Sequence, residues 1–111
     1  MRILDFIVKG QSLTKNPDCD FGNIVAGTRG YLSARFQFYG NEWNTCKKAA
    51  SFYLEDREFA VLLDENDSCL IPNEVLVSDR FEVSLTGLKN DMLIKTTKVK
   101  ISKTDVTGSK E

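Results

Sequence analysis

The sequence contains no histidine, and this absence excludes several kinds of chemistry. Serine and cysteine hydrolases of the Ser-His-Asp and Cys-His types need an imidazole as general base, and many zinc sites need one as a ligand. A histidine-based pH switch is excluded for the same reason. Of the residue patterns that catalysis commonly uses, only neighbouring acidic residues are left in this sequence, and few positions show them. We therefore predict a protein that is not an enzyme and needs no cofactor.

Long apolar runs and cysteines are also scarce. The apolar stretches are a few residues long, whereas a membrane-spanning helix needs about 20, so no membrane segment is expected. The residues after Met1 do not form a secretory signal, which predicts synthesis in the cytosol. The three cysteines, Cys19, Cys46 and Cys69, are too widely spaced for a CxxC pair or a zinc knuckle. Reduced, packed thiols are expected, with one disulfide as the alternative.

Neither sign of charge is in excess, because 15 Lys and Arg oppose 16 Asp and Glu, for a net charge of -1. A nucleic-acid binder would need a basic surplus, so direct nucleic-acid binding is not expected. A general DNA mimic would need a marked acidic surplus. The 41% of hydrophobic residues suffices for one core. We predict a single domain over residues 1–101 and a polar C-terminal tail over residues 102–111.

Apolar residues alternate with a period of two along much of the chain, in short runs separated by Gly, Asn, Asp and Pro. The clearest run is residues 31–38, whose inward positions are Leu32, Ala34, Phe36 and Phe38. Further strands are predicted at residues 2–9, 48–54, 58–63, 68–71, 81–85 and 92–101. The only helical candidate is a turn over residues 72–76, which begins at a proline. The pattern predicts an all-β fold, an Ig-like antiparallel β-sandwich of about seven short strands, with a small barrel as the alternative.

Four residues on outward positions of two strands that are expected to be neighbours are candidates for partner binding. They are Tyr31, Arg35, Gln37 and Tyr53. Aromatic and arginine side chains are enriched where proteins bind one another, although ordinary solvent-facing residues would show the same pattern. Trp43 is interpreted mainly as a core residue, with an exposed binding anchor as the alternative.

An acidic turn supplies the second set of candidate residues, Asp64, Glu65 and Asp67. The spacing lacks the pattern of a calcium-binding loop, so a solvated hairpin tip is preferred to a metal site. A local acidic patch facing a basic groove of a partner is a further interpretation. Near the C-terminus, the basic run Lys95, Lys98, Lys100 and Lys103 contains no aromatic residues that could stack on bases. Edge-strand lysines that oppose aggregation explain this run better.

Several short segments follow one another in a distinctive order over residues 31–101. They are Phe36-Gln37-Phe38, Glu42-Trp43-Asn44, Lys48-Ala49-Ala50-Ser51-Phe52, Val61-Leu62-Leu63-Asp64, Cys69-Leu70-Ile71-Pro72-Asn73-Glu74-Val75-Leu76, Phe81-Glu82-Val83-Ser84-Leu85-Thr86-Gly87 and Ile94-Lys95-Thr96-Thr97. This ordered set resembles an Ig-like domain common in tail and baseplate-associated proteins of phages that infect Gram-positive bacteria. The resemblance spans about two thirds of the chain, and the matched residues look like fold determinants.

The resemblance implies a phage protein that binds other proteins as a tail or baseplate component of the virion. It carries over no catalytic residues. Such a module is expected to form homo-oligomers or to dock onto a tail component, first in the host bacterial cytoplasm during infection and then within the virion. The alternative is a small phage inhibitor of a host defence enzyme, such as a CRISPR nuclease, that acts by direct protein binding.

Overall fold

The computed structural model describes residues 1–102, and the predicted polar tail lies, apart from Ser102, outside the described residues. Within that range the chain forms nine strands and one short 3₁₀ turn. The strands are β1 (Arg2–Lys9), β2 (Ser12–Lys15), β3 (Leu32–Tyr39), β4 (Lys47–Leu54), β5 (Arg57–Leu62), β6 (Ser68–Leu70), β7 (Arg80–Lys89), β8 (Met92–Lys95) and β9 (Val99–Ser102). The all-β prediction is confirmed, and the 3₁₀ turn at Asn73–Val75 confirms the predicted helical turn.

The strands form the two sheets of a β-sandwich. The first sheet has the order β2-β1-β3-β6, and the second has the order β5-β4-β7-β8 with β9 also paired to β7. One pair differs from the predicted antiparallel arrangement, because β1 and β3 run parallel, from Arg2 opposite Leu32 to Lys9 opposite Tyr39. Parallel neighbours cannot be joined by a tight hairpin. Here strand β2 and the loop over residues 16–31 carry the chain back to the start of β3.

The core lies between the two sheets, where the inward residues of both meet. Phe6 stacks on Phe36 with ring centres 5.2 Å apart in the first sheet. Trp43 is fully buried, and its indole N–H donates a hydrogen bond of 2.8 Å to the carbonyl oxygen of Gly10. The interpretation of Trp43 as a core residue is therefore confirmed. All three cysteines are free thiols, as expected.

The strand predicted over residues 92–101 is broken into β8 and β9, both paired to the same side of β7. Three residues, Thr96 to Lys98, stand opposite only two on β7, Ser84 and Leu85, which makes a β-bulge. Thr96 anchors the bulge, because its N–H donates to the Leu85 carbonyl at 3.0 Å and its hydroxyl accepts from the Leu85 N–H at 2.9 Å.

The same bulge joins the two sheets along one side of the sandwich. The Thr97 N–H donates to the Gln11 carbonyl at 2.9 Å, and the Thr97 hydroxyl accepts from the Leu13 N–H at 3.3 Å. The Gln11 side-chain amide donates to the Lys95 carbonyl at 3.0 Å. The edge formed by β2 is thus tied to the edge formed by β8 and β9. No helix among residues 1–102 is long and apolar enough to cross a membrane.

Candidate protein-binding face

The outward side of the second sheet is a broad surface with small side chains near its centre and larger ones around them. Residues in register across the sheet define it, because side chains alternate between the two sides of a strand. The members on β4 are Lys47, Ala49, Ser51 and Tyr53, those on β5 are Glu58, Ala60 and Leu62, and those on β7 are Glu82, Ser84, Thr86 and Leu88. Leu93 and Lys95 on β8 and Lys100 on β9 complete this outer face.

One end of the outer face carries three exposed leucines, which we call the leucine patch. Leu62 is 74% exposed, Leu88 52% and Leu93 59%. Leu88 and Leu93 are directly opposite one another on β7 and β8, while Leu62 lies opposite Ala49. On β4, Ala49 and Lys47 lie between Leu62 and the other two leucines. Exposed apolar groups gathered in this way are typical of protein interaction sites.

The other end of the outer face is polar and held in place by internal contacts. The Tyr53 hydroxyl lies 2.8 Å from the Ser84 hydroxyl, and the Lys98 Nζ lies 4.0 Å from the centre of the Tyr53 ring. The Ser51 hydroxyl donates to Glu58 Oε2 at 2.6 Å. These contacts fix the side chains before any partner binds, so less conformational entropy is lost on binding.

The outer face has an excess of positive charge although the whole chain is nearly neutral. Its cations are Lys47, Lys95 and Lys100, to which Lys98 is added above the Tyr53 ring, and its anions are Glu58 and Glu82. Lys47 lies opposite Leu88, so a cation borders the leucine patch. Acidic groups around an apolar centre would complement this arrangement on a partner surface.

Two of the predicted binding residues, Arg35 and Gln37, lie on the outward side of the first sheet and hold a buried carboxylate. Asp5 on β1 is only 6% exposed. Its Oδ1 accepts from Arg35 Nε at 3.2 Å, and its Oδ2 accepts from Gln37 Nε2 at 2.5 Å and from Asn16 Nδ2 at 2.8 Å. A buried carboxylate requires such donors. Arg35 and Gln37 therefore stabilise the fold by pairing with Asp5.

The predicted aromatic and arginine patch does not come together on one surface. Tyr31 precedes β3 in the first sheet and is half exposed, whereas Tyr53 lies on the outer face of the second sheet. The prediction that these residues lie on neighbouring strands is wrong, because β3 and β4 belong to different sheets. Consecutive strands often pair, but the chain here crosses from one sheet to the other after Tyr39.

The acidic turn between β5 and β6 uses two of its three carboxylates internally. Asp64 Oδ1 accepts from the backbone N–H groups two and four residues later, at 2.8 and 3.0 Å, which shapes the turn. Asp67 Oδ1 accepts from Lys48 Nζ at 3.1 Å. Glu65 makes no hydrogen bond or ion pair with residues 1–102. In the same part of the chain, no group of three or more acidic or thiol side chains is arranged to hold a metal ion.

The leucine patch was missed by the sequence interpretation, although a signal for part of it was present. Val61-Leu62-Leu63 and Met92-Leu93-Ile94 are each three apolar residues in succession. In a strand the middle residue of such a run must point away from the side that its neighbours face. Leu62 and Leu93 are those middle residues, and both are outward.

No protein-family model matches the chain, and no curated protein matches it either. Function must therefore be inferred from the outer face and from the ordered segments of the sequence.

Proposed function

We propose that this chain is a non-enzymatic protein-binding module of a phage virion, a tail or baseplate component that docks through the outer face of the second sheet. The observation that carries the docking surface is the leucine patch, Leu62, Leu88 and Leu93, at one end of the outer face. The phage role is supported by the ordered segments that resemble the tail-associated Ig-like domain. A two-sheet β-sandwich is the architecture expected of such a module.

The leucine patch is large enough to matter energetically. Fully burying a leucine contributes about 1.5–3 kcal/mol, and each of these side chains has half or more of its surface still to bury. Covering all three would contribute roughly 3–5 kcal/mol, or a factor of about a thousand in affinity. Because all three leucines lie on paired strands and Leu88 lies on the central strand β7, little backbone ordering opposes this gain.

The alternative function, inhibition of a host defence enzyme, finds less support. An inhibitor that covers a basic nucleic-acid groove needs an anionic surface. The acidic turn provides only a weak anionic surface, because the Asp64 carboxylate accepts hydrogen bonds within the turn and the Asp67 carboxylate is paired with Lys48. The outer face carries an excess of lysines, which would repel a basic groove. Docking onto an acidic-rimmed protein surface fits these charges better.

The test is affinity purification of tagged protein from an infected Gram-positive host, followed by mass spectrometry. The test variant is Leu88→Ser with Leu93→Ser, and the matched control is Val77→Ser, since Val77 is 68% exposed but lies outside the outer face. Tail or baseplate proteins should co-purify with the wild type and the control, and their recovery should fall at least tenfold with the double variant.

Two results would contradict this proposal in different ways. Enrichment of a host nuclease without virion proteins would replace the virion role with the inhibitor role. Equal recovery of tail proteins by the double variant and the wild type would show that the leucine patch is not the docking surface.

A further inference from the structure

Strand β5 forms a free edge of the second sheet and presents an open row of backbone groups. Within residues 1–102 it pairs with β4 alone. Just beyond its end, the Leu63 N–H donates to the Lys48 carbonyl at 3.0 Å, which identifies a hydrogen-bonded pair of the ladder. Such pairs alternate along antiparallel strands, so every second residue of β5 turns its N–H and C=O away from β4. Those residues are Glu58, Ala60 and Leu62.

Proteins usually protect a free edge with lysine, proline, a bulge or a covering segment. Strand β5 is charged only at its start, at Arg57 and Glu58, and contains no lysine or proline. Its register with β4 runs without a bulge from Ala49 opposite Leu62 to Leu54 opposite Arg57. By contrast, the edges formed by β2 and by β8 and β9 are tied together at Thr97, and β6 is only three residues long. In the described part of the chain, β5 is therefore the longest edge that no lysine, proline, bulge or covering segment protects.

We propose that β5 pairs antiparallel with β5 of a second copy of this chain, about a two-fold axis at Ala60. In this register Ala60 faces Ala60, and Glu58 faces Leu62 of the second copy. Every open N–H and C=O on both edges then finds a partner, because the residues that face the edge are matched with one another. A register shifted by two residues would leave some of the open N–H and C=O groups unpaired. A shift of one residue would place inward-facing residues of one copy opposite outward-facing residues of the other.

The side chains are compatible with the same register. The two Glu58 carboxylates are four residues apart along the paired strands, or about 14 Å, which exceeds the screening length of about 8 Å at physiological salt. On the inward side, Phe59 meets Val61 of the second copy. Both are partly buried residues packed against the core, so their remaining apolar surface would be covered. Ala60 at the axis presents only a methyl group, which allows the backbones to approach.

This inference goes beyond the proposed function and does not depend on it, because it concerns the sheet edge and leaves the docking role of Leu88 and Leu93 untouched. Pairing would nevertheless have a consequence for that role. The second sheets of two copies would become one continuous sheet, and their outer faces would lie on the same side. Two leucine patches would then be presented together, and such bivalency increases the strength of attachment to a repetitive partner.

Sedimentation equilibrium of the wild type, Ala60→Lys, Ala60→Glu and an equimolar mixture of the two variants tests the proposal. The wild type should dimerise reversibly, and each variant alone should dimerise roughly fivefold more weakly or worse, since like charges meet at the axis. The mixture should recover dimer, because lysine then faces glutamate. The control Val77→Lys adds a charge at an exposed site outside β5 and should behave as the wild type.

A second variant keeps the test independent of charge. Ala60→Pro removes an N–H that points to the free edge, which a sheet tolerates at an edge strand, so the variant should fold and remain monomeric. Circular dichroism reports the fold. A wild type that stays monomeric up to millimolar concentration would overturn the proposal. So would Ala60→Lys or a folded Ala60→Pro that dimerises as well as the wild type. A wild-type monomer that adds an extended strand from another protein would also overturn self-pairing.

Discussion

Gly87 packs so closely on the buried indole of Trp43 that replacing it with alanine should destabilise the fold. A Cβ atom at Gly87 would lie 2.7 Å from Trp43 Cζ3, 2.8 Å from Trp43 Cε3 and 3.0 Å from Ile94 Cγ2. Ordinary carbon–carbon contacts are about 3.5–4.0 Å. The indole cannot retreat freely, because its N–H is bonded to the Gly10 carbonyl at 2.8 Å. The surrounding core must therefore shift to admit the methyl group.

Two opposing effects determine the size of the loss in Gly87→Ala. Alanine restricts the unfolded chain, which by itself would stabilise the protein by about 0.4–1 kcal/mol. Inserting a methyl group into a packed core costs about 1–3 kcal/mol. The steric cost is the larger, so the free energy of unfolding should fall by about 1–2 kcal/mol, and the melting temperature by roughly 4–8 °C.

Urea unfolding followed by tryptophan fluorescence measures this loss directly, because Trp43 is the only tryptophan. The control is Gly22→Ala in the loop, where the nearest atom to the new Cβ is Asp20 Oδ1 at 3.1 Å, the end of a short side chain. It should change stability by less than about 0.5 kcal/mol.

A Trp43→Leu background identifies the source of the clash, with circular dichroism replacing fluorescence as the probe. Without the indole ring, Gly87→Ala should lose most of its cost, a coupling of about 1 kcal/mol or more. The reasoning would be refuted if Gly87→Ala were as stable as the wild type, or if it cost the same with and without the indole.

Three further predictions concern two buried groups, Asp5 and Cys69. Asp5→Ala should lower the free energy of unfolding, measured with urea, by about 2–4 kcal/mol, because three side-chain donors lose their acceptor. A loss below about 1 kcal/mol would contradict the role of Asp5 as the centre of this cluster. Burial is the main cause, and the nearby Asp64 carboxylate the smaller one, that raises the pKa of the Cys69 thiol from 9.0 to about 12. At pH 8 a thiol reagent should therefore label the other two cysteines in the native protein, and Cys69 only after unfolding. Since the unfolded thiol ionises first, the Cys69 contribution to stability is present below pH 9 and lost as pH rises towards 12; a Cys69→Ala variant with the same alkaline pH dependence would contradict this.

Local pattern was a good guide to the strands and to the side of each that is buried. Strand β1 has the bounds predicted for it, and Leu32, Ala34 and Phe36 point inward as predicted. Side chains alternate across a strand whatever the strand pairs with, so the alternation is visible in the sequence. Strand β2 was not predicted, because Ser12 to Lys15 shows no strong alternation and is recruited by pairing with β1.

The candidate site was harder to predict than the strands. Tyr53 was placed correctly on an outward position, but the three leucines at the opposite end of the outer face lie on β5, β7 and β8, and only the register of four strands places them on one surface. Asp5 was not identified as the centre of a cluster, because its donors are 11, 30 and 32 residues away in the chain.

The amino-acid sequence by itself determined the fold class, the burial of Trp43, the turn at Asn73–Val75 and the absence of any histidine chemistry, since composition and short-range alternation specify these properties. Only the tertiary structure decided that β1 pairs parallel to β3, that β3 and β4 lie in different sheets, and that β5 is left as an open edge within residues 1–102. Strand partners depend on contacts between distant segments that compete for the same edges. The pattern of residues within one strand therefore does not specify which strand it pairs with.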